Sequence, residues 1–301
     1  MGDAHPASAA ARSELVLGVI GGSGLYEIDG LTDVEEVALS TPFGEPSDSF
    51  ITGVLDGVTM VFLPRHGRGH VVSPTEINFR ANIWGMKRLG VSRILSVSAV
   101  GSMREDIVPG EFVVIDQFFD RTRHRVDTFF QDGCVAHVMF ADPVCGDLRQ
   151  SLIAAGGEAG VKVHDGGTYV NMEGPQFSTR AESKIYRGWG VDVIGMTNLQ
   201  EARLAREAEL CYATVAMATD YDCWHEGHDD VTVEAVIAVM QQNVGNARNV
   251  IKAAVPKLVT QADSTCGCDE ALKFAIMTAP DRIPAEARQR LGLLIDKYME
   301  G

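Results

Sequence analysis

The 301-residue chain lacks several features that would place it in common functional classes. Its clean apolar run near the N-terminus, residues 15–20, is far too short to span a membrane, and no basic signal-peptide segment precedes it. Lys and Arg number 26 against 41 Asp and Glu, for a net charge of −15. Because nucleic acids and anionic membranes are bound through basic surfaces, neither is an expected partner. The sequence therefore predicts a soluble, cytoplasmic protein that holds any anionic ligand with a local cluster.

Cysteine is also scarce, with six residues in a chain of this length. Disulfide scaffolds are typical of short secreted domains, so the count does not predict one here. Cys266 and Cys268 form a CxC pair near the C-terminus. Because no second pair of metal ligands stands at a suitable spacing in the sequence, we predict no metal site. The alternatives for the pair are two free thiols and a redox-active or strained disulfide.

Hydrophobic residues make up 46% of the sequence, enough to bury a large core in one domain. Short β-branched runs alternate along the chain with longer segments of helical character. This alternation predicts the α/β class, as a single-domain, twisted, mixed β-sheet with helices on both faces. Residues 1–13 are expected to form a disordered leader, residues 14–255 the main domain, and residues 256–301 a linker and helical tail that pack on the same domain.

Three turns of small or basic residues follow predicted strands, at residues 21–25 (GGSGL), 65–70 (RHGRGH) and 98–102 (SAVGS). Open α/β sheets bind ligands at the carboxyl ends of their strands, and glycine backbones and guanidinium groups suit phosphate. The three turns together predict one pocket for an oxyanion. Taken singly, the first is equally explained as a tight turn, and an exposed basic turn is the alternative for the second. The first also suits a dinucleotide, although Glu27 occupies the last glycine position of the GxGxxG pattern.

Two carboxylates, Asp220 and Asp222, stand one residue apart at the end of an apolar run at residues 211–219. If that run is a strand and continues through the pair, side chains at i and i+2 share one face of the sheet. Such a pair can grip one edge of a flat ligand. Capping and structural hydrogen bonding are the alternative roles.

Several other candidates have both a functional and a structural interpretation. Thr197 begins a predicted helix, where its hydroxyl suits either phosphate or the helix N-cap. The charged loop at residues 120–125 is expected to be solvated surface. His137 lies in a mixed stretch typical of a semi-buried structural histidine. Val233 and Val236 belong to the apolar stripe of a long helix.

The motifs, taken in order over residues 15–255, carry a resemblance to a known family. They are GGSGL at 21–25, TPFG at 41–44, RHG at 65–67, NIW at 82–84, SAVGS at 98–102, EGP at 173–175, MT at 196–197 and TDYDCW at 219–224. Together they resemble the S-methyl-5′-thioadenosine phosphorylases, trimeric members of the purine nucleoside phosphorylase superfamily. The resemblance implies a nucleoside phosphorylase-like fold, with residues 14–255 as the catalytic domain.

The same resemblance implies phosphorolysis: phosphate attacks C1′ of the nucleoside and releases adenine and 5-methylthioribose 1-phosphate. It implies no cofactor and no metal, with inorganic phosphate as the co-substrate. The implied phosphate site is Ser23, Arg65, His66, Ser98, Ala99 and Thr197. The implied nucleoside site is Val100, Gly101, Phe177, Ser178, Ile194, Met196, Asp220, Asp222, Val233, Val236 and His137, the last completing a neighbouring site in a homotrimer.

The chemistry of base departure gives the aspartates different roles, with His66 as a third catalytic residue. Asp220 is expected to protonate purine N7, which requires a raised pKa, and Asp222 to accept from the 6-amino group. Ser178, where relatives that cleave inosine and guanosine carry Glu, also favours a 6-aminopurine. The alternatives are a phosphorylase for 6-oxopurine nucleosides, an NAD-binding oxidoreductase and a nucleoside-binding protein without turnover.

Overall fold

A computed structural model describes residues 15–22, 24–225, 233–261 and 266–299. The leader predicted at residues 1–13 and the candidate Ser23 lie outside these ranges. The strands of the described residues are β1 Val16–Gly21, β2 Thr32–Val37, β3 Phe50–Leu55, β4 Val58–Pro64, β5 Arg93–Ser102, β6 Phe112–Val114, β7 Gln117–Arg121, β8 Val163–Asp165, β9 Thr168–Met172, β10 Val193–Gly195 and β11 Cys211–Asp220. Their helices are α1 Phe79–Arg88, α2 Gly146–Glu158, α3 Arg180–Gly188, α4 Asn198–Glu207, α5 Val233–Thr260 and α6 Ala285–Ile295.

The strands form one mixed sheet around β5. The main path runs β2-β3-β4-β1-β5-β10-β9-β7, and β11, β6 and β8 branch from β5. The first half of β5 lies parallel to both β1 and β11, while its last residues, Gly101 and Ser102, pair antiparallel with β10. The predicted mixed α/β sheet is confirmed. Because β1, β4, β5 and β11 are parallel in one block, their carboxyl ends meet at one edge.

Helices cover both faces of the sheet and enclose two large apolar clusters. One cluster joins the strands to α2 and α5, through residues such as Leu148 and Val250. The other joins them to α1 and α4, through residues such as Met86 and Leu204. Each fully buried valine, leucine or methionine side chain contributes about 1.5–3 kcal/mol to the stability of the fold, because its apolar surface leaves water. The sheet is therefore held on both sides, and its strand ends are fixed in position.

The boundary predicted at residue 255 falls inside helix α5. Helix α5 continues through Pro256 to Thr260, because Leu258 is fully buried and extends the apolar stripe of the helix. The segment from residue 266 onward contributes Leu272, Leu291 and Leu294 to the cluster that contains α1 and α4. Among the helices described, none combines the length and the apolar character needed to cross a bilayer.

The structure corrects the expectation that the CxC pair has no further ligands within reach. Cys145, just before α2, and Cys211, the first residue of β11, lie beside Cys266 and Cys268. All four sulfur atoms lie within 4.8 Å of one another. Spacing along the chain could not reveal this arrangement, because the folded sheet joins cysteines that are 55 or more residues apart.

Candidate active site

A cavity of about 380 Å³ opens at the edge where the parallel strands end. This volume falls within the usual range for small-molecule sites. The cavity is lined by the strand ends, the N-terminus of α4 and methionines from several elements, and Asp220 is among its lining residues. A larger open depression of about 1160 Å³, lined by charged residues such as Arg104 and Lys184, lies elsewhere and contains neither aspartate of the pair. The smaller cavity is therefore the candidate active site.

Arg65 lies under one end of the cavity and is paired with Glu201. The guanidinium Nε and Nη2 donate to the two carboxylate oxygens of Glu201 at 2.5 and 3.1 Å, and both side chains are almost fully buried. Nη1 donates to Val97 O at 2.9 Å and Nη2 to Ser96 Oγ at 2.7 Å. Most of the Arg65 donors are therefore used by acceptors of the protein. Among the described residues, one N–H of Nη1 is left without a partner.

His66 lies on the cavity wall in a fixed tautomer. Its Nδ1 lies 2.8 Å from Val72 O, and because a carbonyl can only accept, Nδ1 carries the hydrogen. Burial, aided by the nearby Arg65 charge, lowers the pKa of His66 to about 4. The imidazole is therefore neutral at pH 7, with the lone pair of Nε2 available as an acceptor. The ring of His70 stacks on it at 4.2 Å and lines the same cavity.

The N-terminus of α4 points into the cavity at Thr197. Thr197 occupies the N-cap position, yet its side chain makes no capping hydrogen bond. The side chain therefore does not cap the helix: its hydroxyl lies 3.4 Å from Asn198 Oδ1, and Leu199 N donates to Asn171 Oδ1 at 3.2 Å. Thr197 lines the cavity at this helix N-terminus, where backbone donors and the macrodipole favour an anion. Ser98 and Ala99, at the end of β5, line the same part of the cavity. Gly195 is required here because a Cβ would meet Tyr169 Oη at 1.9 Å.

The two aspartates lie at another part of the cavity, where β11 ends. Asp220 accepts from Thr219 Oγ1 at 2.7 Å and from its neighbour's backbone, Asp222 N, at 2.8 Å. Burial raises the pKa of Asp220. Burial also raises the pKa of Asp222, and the Asp220 charge raises it further. Asp222 Oδ2 is buried without a hydrogen-bond partner in the described part of the chain, so it is an unsatisfied acceptor beside the cavity that Asp222 lines.

The route by which the aspartates meet differs from the prediction. Strand β11 ends at Asp220, and its register with β5 shifts between Ala218 and Asp220. Asp222 begins a short 3-10 turn with a φ of +52°. Simple alternation along one strand is therefore wrong for this pair. A bulge and a left-handed turn bring the two carboxyl groups to the same cavity instead.

The loop at residues 120–125 is only partly the solvated surface expected from its charges, because Arg123 and His124 are exposed and Arg125 is not. The Arg125 side chain is only 1% exposed and donates to Glu173 Oε1 at 3.3 Å and to Glu173 O at 2.6 Å. It also donates to Met196 O and to Gln200 Oε1. Arg125 thereby fastens the loop that follows β9 to the start of α4. Both segments line the cavity, through Pro175 and Thr197.

The structure brings most of the predicted site residues together. Those that line the cavity are Arg65, His66, Ser98, Ala99, Val100, Gly101, Phe177, Ile194, Met196, Thr197, Asp220 and Asp222. Ser178 lies behind the wall, with its hydroxyl 3.7 Å from the sulfur of the lining residue Met172. His137 is exposed and lies outside the cavity of its own chain. Val233 and Val236 fall at the start of α5, and their side chains lie outside the described part of the structure.

Sequence reasoning missed the residues that position the site. Glu201, Arg125 and Gln200 are buried polar side chains that hold Arg65, the loop after β9 and Thr122. Each stands in an ordinary charged or polar stretch, so no local pattern distinguishes it. Such residues are almost never fully buried unless they are paired.

Comparisons with known proteins agree with this geometry. The family model of the phosphorylase superfamily matches residues 16–256. The chain belongs to the phosphorylase superfamily. It is 62% identical over 287 residues to the S-methyl-5′-thioadenosine phosphorylase of Geobacter sulfurreducens, covering 95% of this chain and 100% of that protein.

Solved structures of methylthioadenosine phosphorylases have the same fold. A methylthioadenosine phosphorylase from an antarctic soil metagenomic library superposes with a TM-score of 0.90 at 46% identity, over 94% of this chain and 99% of that one. A mutant of the adenosine/methylthioadenosine phosphorylase of Schistosoma mansoni, in complex with methylthioadenosine, superposes with a TM-score of 0.79 at 36% identity. That match covers 86% of this chain and 98% of the other.

Proposed function

We propose that the protein catalyses the reversible phosphorolysis of S-methyl-5′-thioadenosine, yielding adenine and 5-methylthioribose 1-phosphate, a pentosyltransferase reaction of purine and methionine salvage. One observation carries the proposal: a buried pair of carboxyl groups with raised pKa values shares a cavity with a cluster of anion-binding groups. The relatives named above bear this activity in their names. A cavity that holds both carboxyl groups and an anion-binding cluster suits a reaction in which an anion attacks C1′ of the nucleoside while the purine base leaves.

The phosphate end is built from neutral donors and one acceptor. Thr197 at the N-terminus of α4, the Ala99 backbone and the Ser98 hydroxyl are the donors to phosphate in this proposal, and all three residues line the cavity. His66 Nε2 accepts from a protonated phosphate oxygen, and Arg65 supplies one N–H. Because Glu201 neutralises Arg65, binding relies on oriented dipoles more than on net charge.

The base end is suited to a 6-aminopurine. Protonated Asp220 donates to N7 as the bond to C1′ breaks, which neutralises the charge that develops on the leaving adenine. Ionised Asp222 accepts from the exocyclic amino group. Its unpartnered Oδ2, among the described residues, supports this role. A 6-oxo group would place its oxygen against that carboxylate, so inosine and guanosine are disfavoured.

The middle of the cavity is apolar and rich in sulfur. Met172, Met196 and Met240, with Phe177 and Val244, line it. Flexible thioethers pack well against a ribose ring and a methylthio group. This lining favours a 5′-methylthio substituent over the free hydroxyl of adenosine, because burying a hydroxyl without a partner is costly.

Three further properties form part of the proposal. Phosphate is the only co-substrate, and the chemistry uses no cofactor. The active unit is a homotrimer in which His137, exposed on its own chain, reaches a neighbouring cavity. The free cysteines of the structure fit a reducing compartment, the cytoplasm.

The direct test compares phosphorolysis of methylthioadenosine and inosine by the purified protein, with and without phosphate. We expect adenine release that requires phosphate and little turnover of inosine. Faster cleavage of inosine would assign the protein to the 6-oxopurine class instead, and affinity without turnover would make it a binding protein.

The trimer has its own test, which mixes subunits. His137→Ala chains supply an intact Asp220, and Asp220→Asn chains supply an intact His137. If His137 acts across an interface, co-refolded mixtures regain activity that neither variant has alone. Light scattering should report three times the 32.5 kDa chain mass. If a confirmed mixed trimer regains no activity, His137 does not act on the cavity of a neighbouring subunit.

A further inference from the structure

Four cysteines meet at the edge of the sheet opposite the candidate active site. Cys145 immediately precedes α2, Cys211 is the first residue of β11, and Cys266 and Cys268 come from the C-terminal segment. Their four sulfur atoms lie within 4.8 Å of one another, and Cys211 Sγ is 3.4 Å from Cys266 Sγ. None of the four is in a disulfide. The mechanism uses none of them.

The spacing of the sulfur atoms suits a tetrahedral ion. Zinc bound by thiolates at about 2.3 Å places neighbouring sulfurs about 3.8 Å apart at the corners of a tetrahedron. A disulfide requires a distance of about 2.05 Å between two of the sulfur atoms and does not require the other two sulfur atoms to lie near them. Here every one of the four sulfurs is close to the other three. Such mutual proximity is the geometry of four ligands around one small centre.

The backbone holds the four residues in place before any ion binds. Cys145 N donates to Tyr212 O at 2.8 Å, and Cys211 N donates to Ser92 O at 3.0 Å, so the sheet positions both cysteines. Gly267, between the other two, has a φ of +74°, a conformation that glycine adopts without strain. This left-handed residue lets Cys266 and Cys268 turn their sulfurs to the same side.

The surroundings complete a closed site. Cys145 and Cys268 are buried in the cluster that joins α2 and α5 to the sheet, with the other two cysteines packed against it. The N-terminus of α2 favours a thiolate at Cys145 through its backbone N–H groups and macrodipole. Four sulfur ligands leave no open position for water or substrate, which is typical of structural zinc sites.

We propose that Cys145, Cys211, Cys266 and Cys268 bind one Zn²⁺ ion in a tetrathiolate site. Each Zn–S bond forms as a thiol releases its proton to solvent, and no electron is transferred. Zinc is the ion assigned because tetrahedral sulfur sites select it among divalent ions that need no redox partner. Nothing in this inference depends on the proposed phosphorolysis.

The site would fasten the C-terminal segment to the sheet, far from the chemistry. Cys211 and Asp220 lie at opposite ends of β11, a ten-residue strand, so about 30 Å separates the two sites. The segment that carries Cys266 and Cys268 also supplies Leu272 and Leu294 to the core. Its attachment at the cysteines therefore stabilises the packing of the tail.

Metal content measured by mass spectrometry is the first test. The full chain is purified under reducing conditions, supplied with Zn²⁺ and freed of loosely bound metal on a weak chelating resin. We expect one zinc per chain, and loss of it in the Cys266→Ser/Cys268→Ser double variant. Cys134→Ala, at a buried cysteine outside the cluster, is the matched control and should keep its zinc. Equal zinc in the double variant would overturn the proposal.

Cobalt substitution of the unaltered chain gives a second readout that does not depend on the folding of a variant. Co²⁺ in a tetrathiolate site produces intense sulfur-to-metal charge-transfer absorption together with the visible bands of tetrahedral cobalt. These bands should appear with a stoichiometry of one and vanish on addition of Zn²⁺. If the reduced chain binds neither ion, the proposal is wrong, whether its thiols then stay free or oxidise to two disulfides.

Discussion

The backbone N–H of Asp222 donates to Asp220 Oδ1 at 2.8 Å, so the second aspartate of the pair positions the first. The bond orients the Asp220 carboxyl group within the cavity. It requires the left-handed φ of +52° at Asp222, which a strand would not provide. The backbone of Asp222 thus orients Asp220, while its side chain is the proposed acceptor for the base.

Replacing Asp220 by Asn should remove the proton donor while keeping the shape of the side chain. We expect kcat for methylthioadenosine to fall by about 10²–10⁴, the usual contribution of general acid catalysis, with a much smaller change in KM. Steady-state kinetics of adenine release measures both. Asp56→Asn, at an exposed turn with a similar φ of +50°, is the control and should match the wild type. An unchanged kcat in Asp220→Asn would remove it from the acid role.

His66 should act as a neutral acceptor throughout the physiological pH range. Because its pKa is lowered to about 4, its ring signals should not titrate between about pH 5 and 8 in ¹⁵N NMR spectra, and Nδ1 should carry the proton. His66→Ala should raise KM for phosphate roughly 10- to 100-fold, the value of one hydrogen bond to a charged ligand. His124→Ala, at an exposed histidine, serves as the comparison. A His66 titration near its ordinary pKa of 6.5 would contradict this assignment.

Much of the cavity could be anticipated from the sequence because its parts are short motifs at strand ends. Glycine-rich turns, the Arg65-His66 pair and the Asp220-Asp222 pair each follow an apolar run, and parallel strands bring such ends together. The mixed sheet followed from the alternation of strands and helices. Local sequence and topology were sufficient for these features.

Long-range polar partners could not be anticipated in the same way. Glu201 meets Arg65 across 136 residues and Arg125 meets Glu173 across 48, so neither pairing leaves a local pattern. The four cysteines come together only when β11 and α2 are in place. The direction of Asp222 depends on a bulge, and alternation along a strand does not describe a bulge. These are effects of tertiary structure that override local spacing.

Arg125 is predicted to stabilise the protein and shape its nucleoside site. Arg125→Ala removes its hydrogen bonds to Glu173, Met196 O and Gln200, although Glu173 keeps Thr75 Oγ1 and Met196 O keeps Asn171 Nδ2. The loss should cost about 1–3 kcal/mol of unfolding free energy and raise KM for methylthioadenosine. Urea unfolding and steady-state kinetics measure the two effects. Arg123→Ala, at the exposed neighbour, should change both values little. Equal urea midpoints for the two variants would show that the buried pair has no net effect on stability.

Glu207 should make stability fall as pH rises toward neutrality. Burial raises its pKa from 4.5 to about 7, although Phe129 N and Thr128 Oγ1 each donate to it at 2.7 Å. A carboxyl group with a raised folded pKa contributes stability that is fully present below pH 4.5, the unfolded value, and is lost as pH rises through about 7.

The matched variant is Glu207→Gln, which keeps the neutral form at every pH. Relative to this variant, the wild type should lose about 1–3 kcal/mol of unfolding free energy between pH 4.5 and 7, because one pKa unit corresponds to about 1.36 kcal/mol. Urea denaturation at several pH values in this window gives the difference directly. The difference in unfolding free energy between the wild type and Glu207→Gln is the quantity that decides. If this difference stays constant with pH, or favours the wild type at pH 7, the assignment of a raised pKa to Glu207 is wrong.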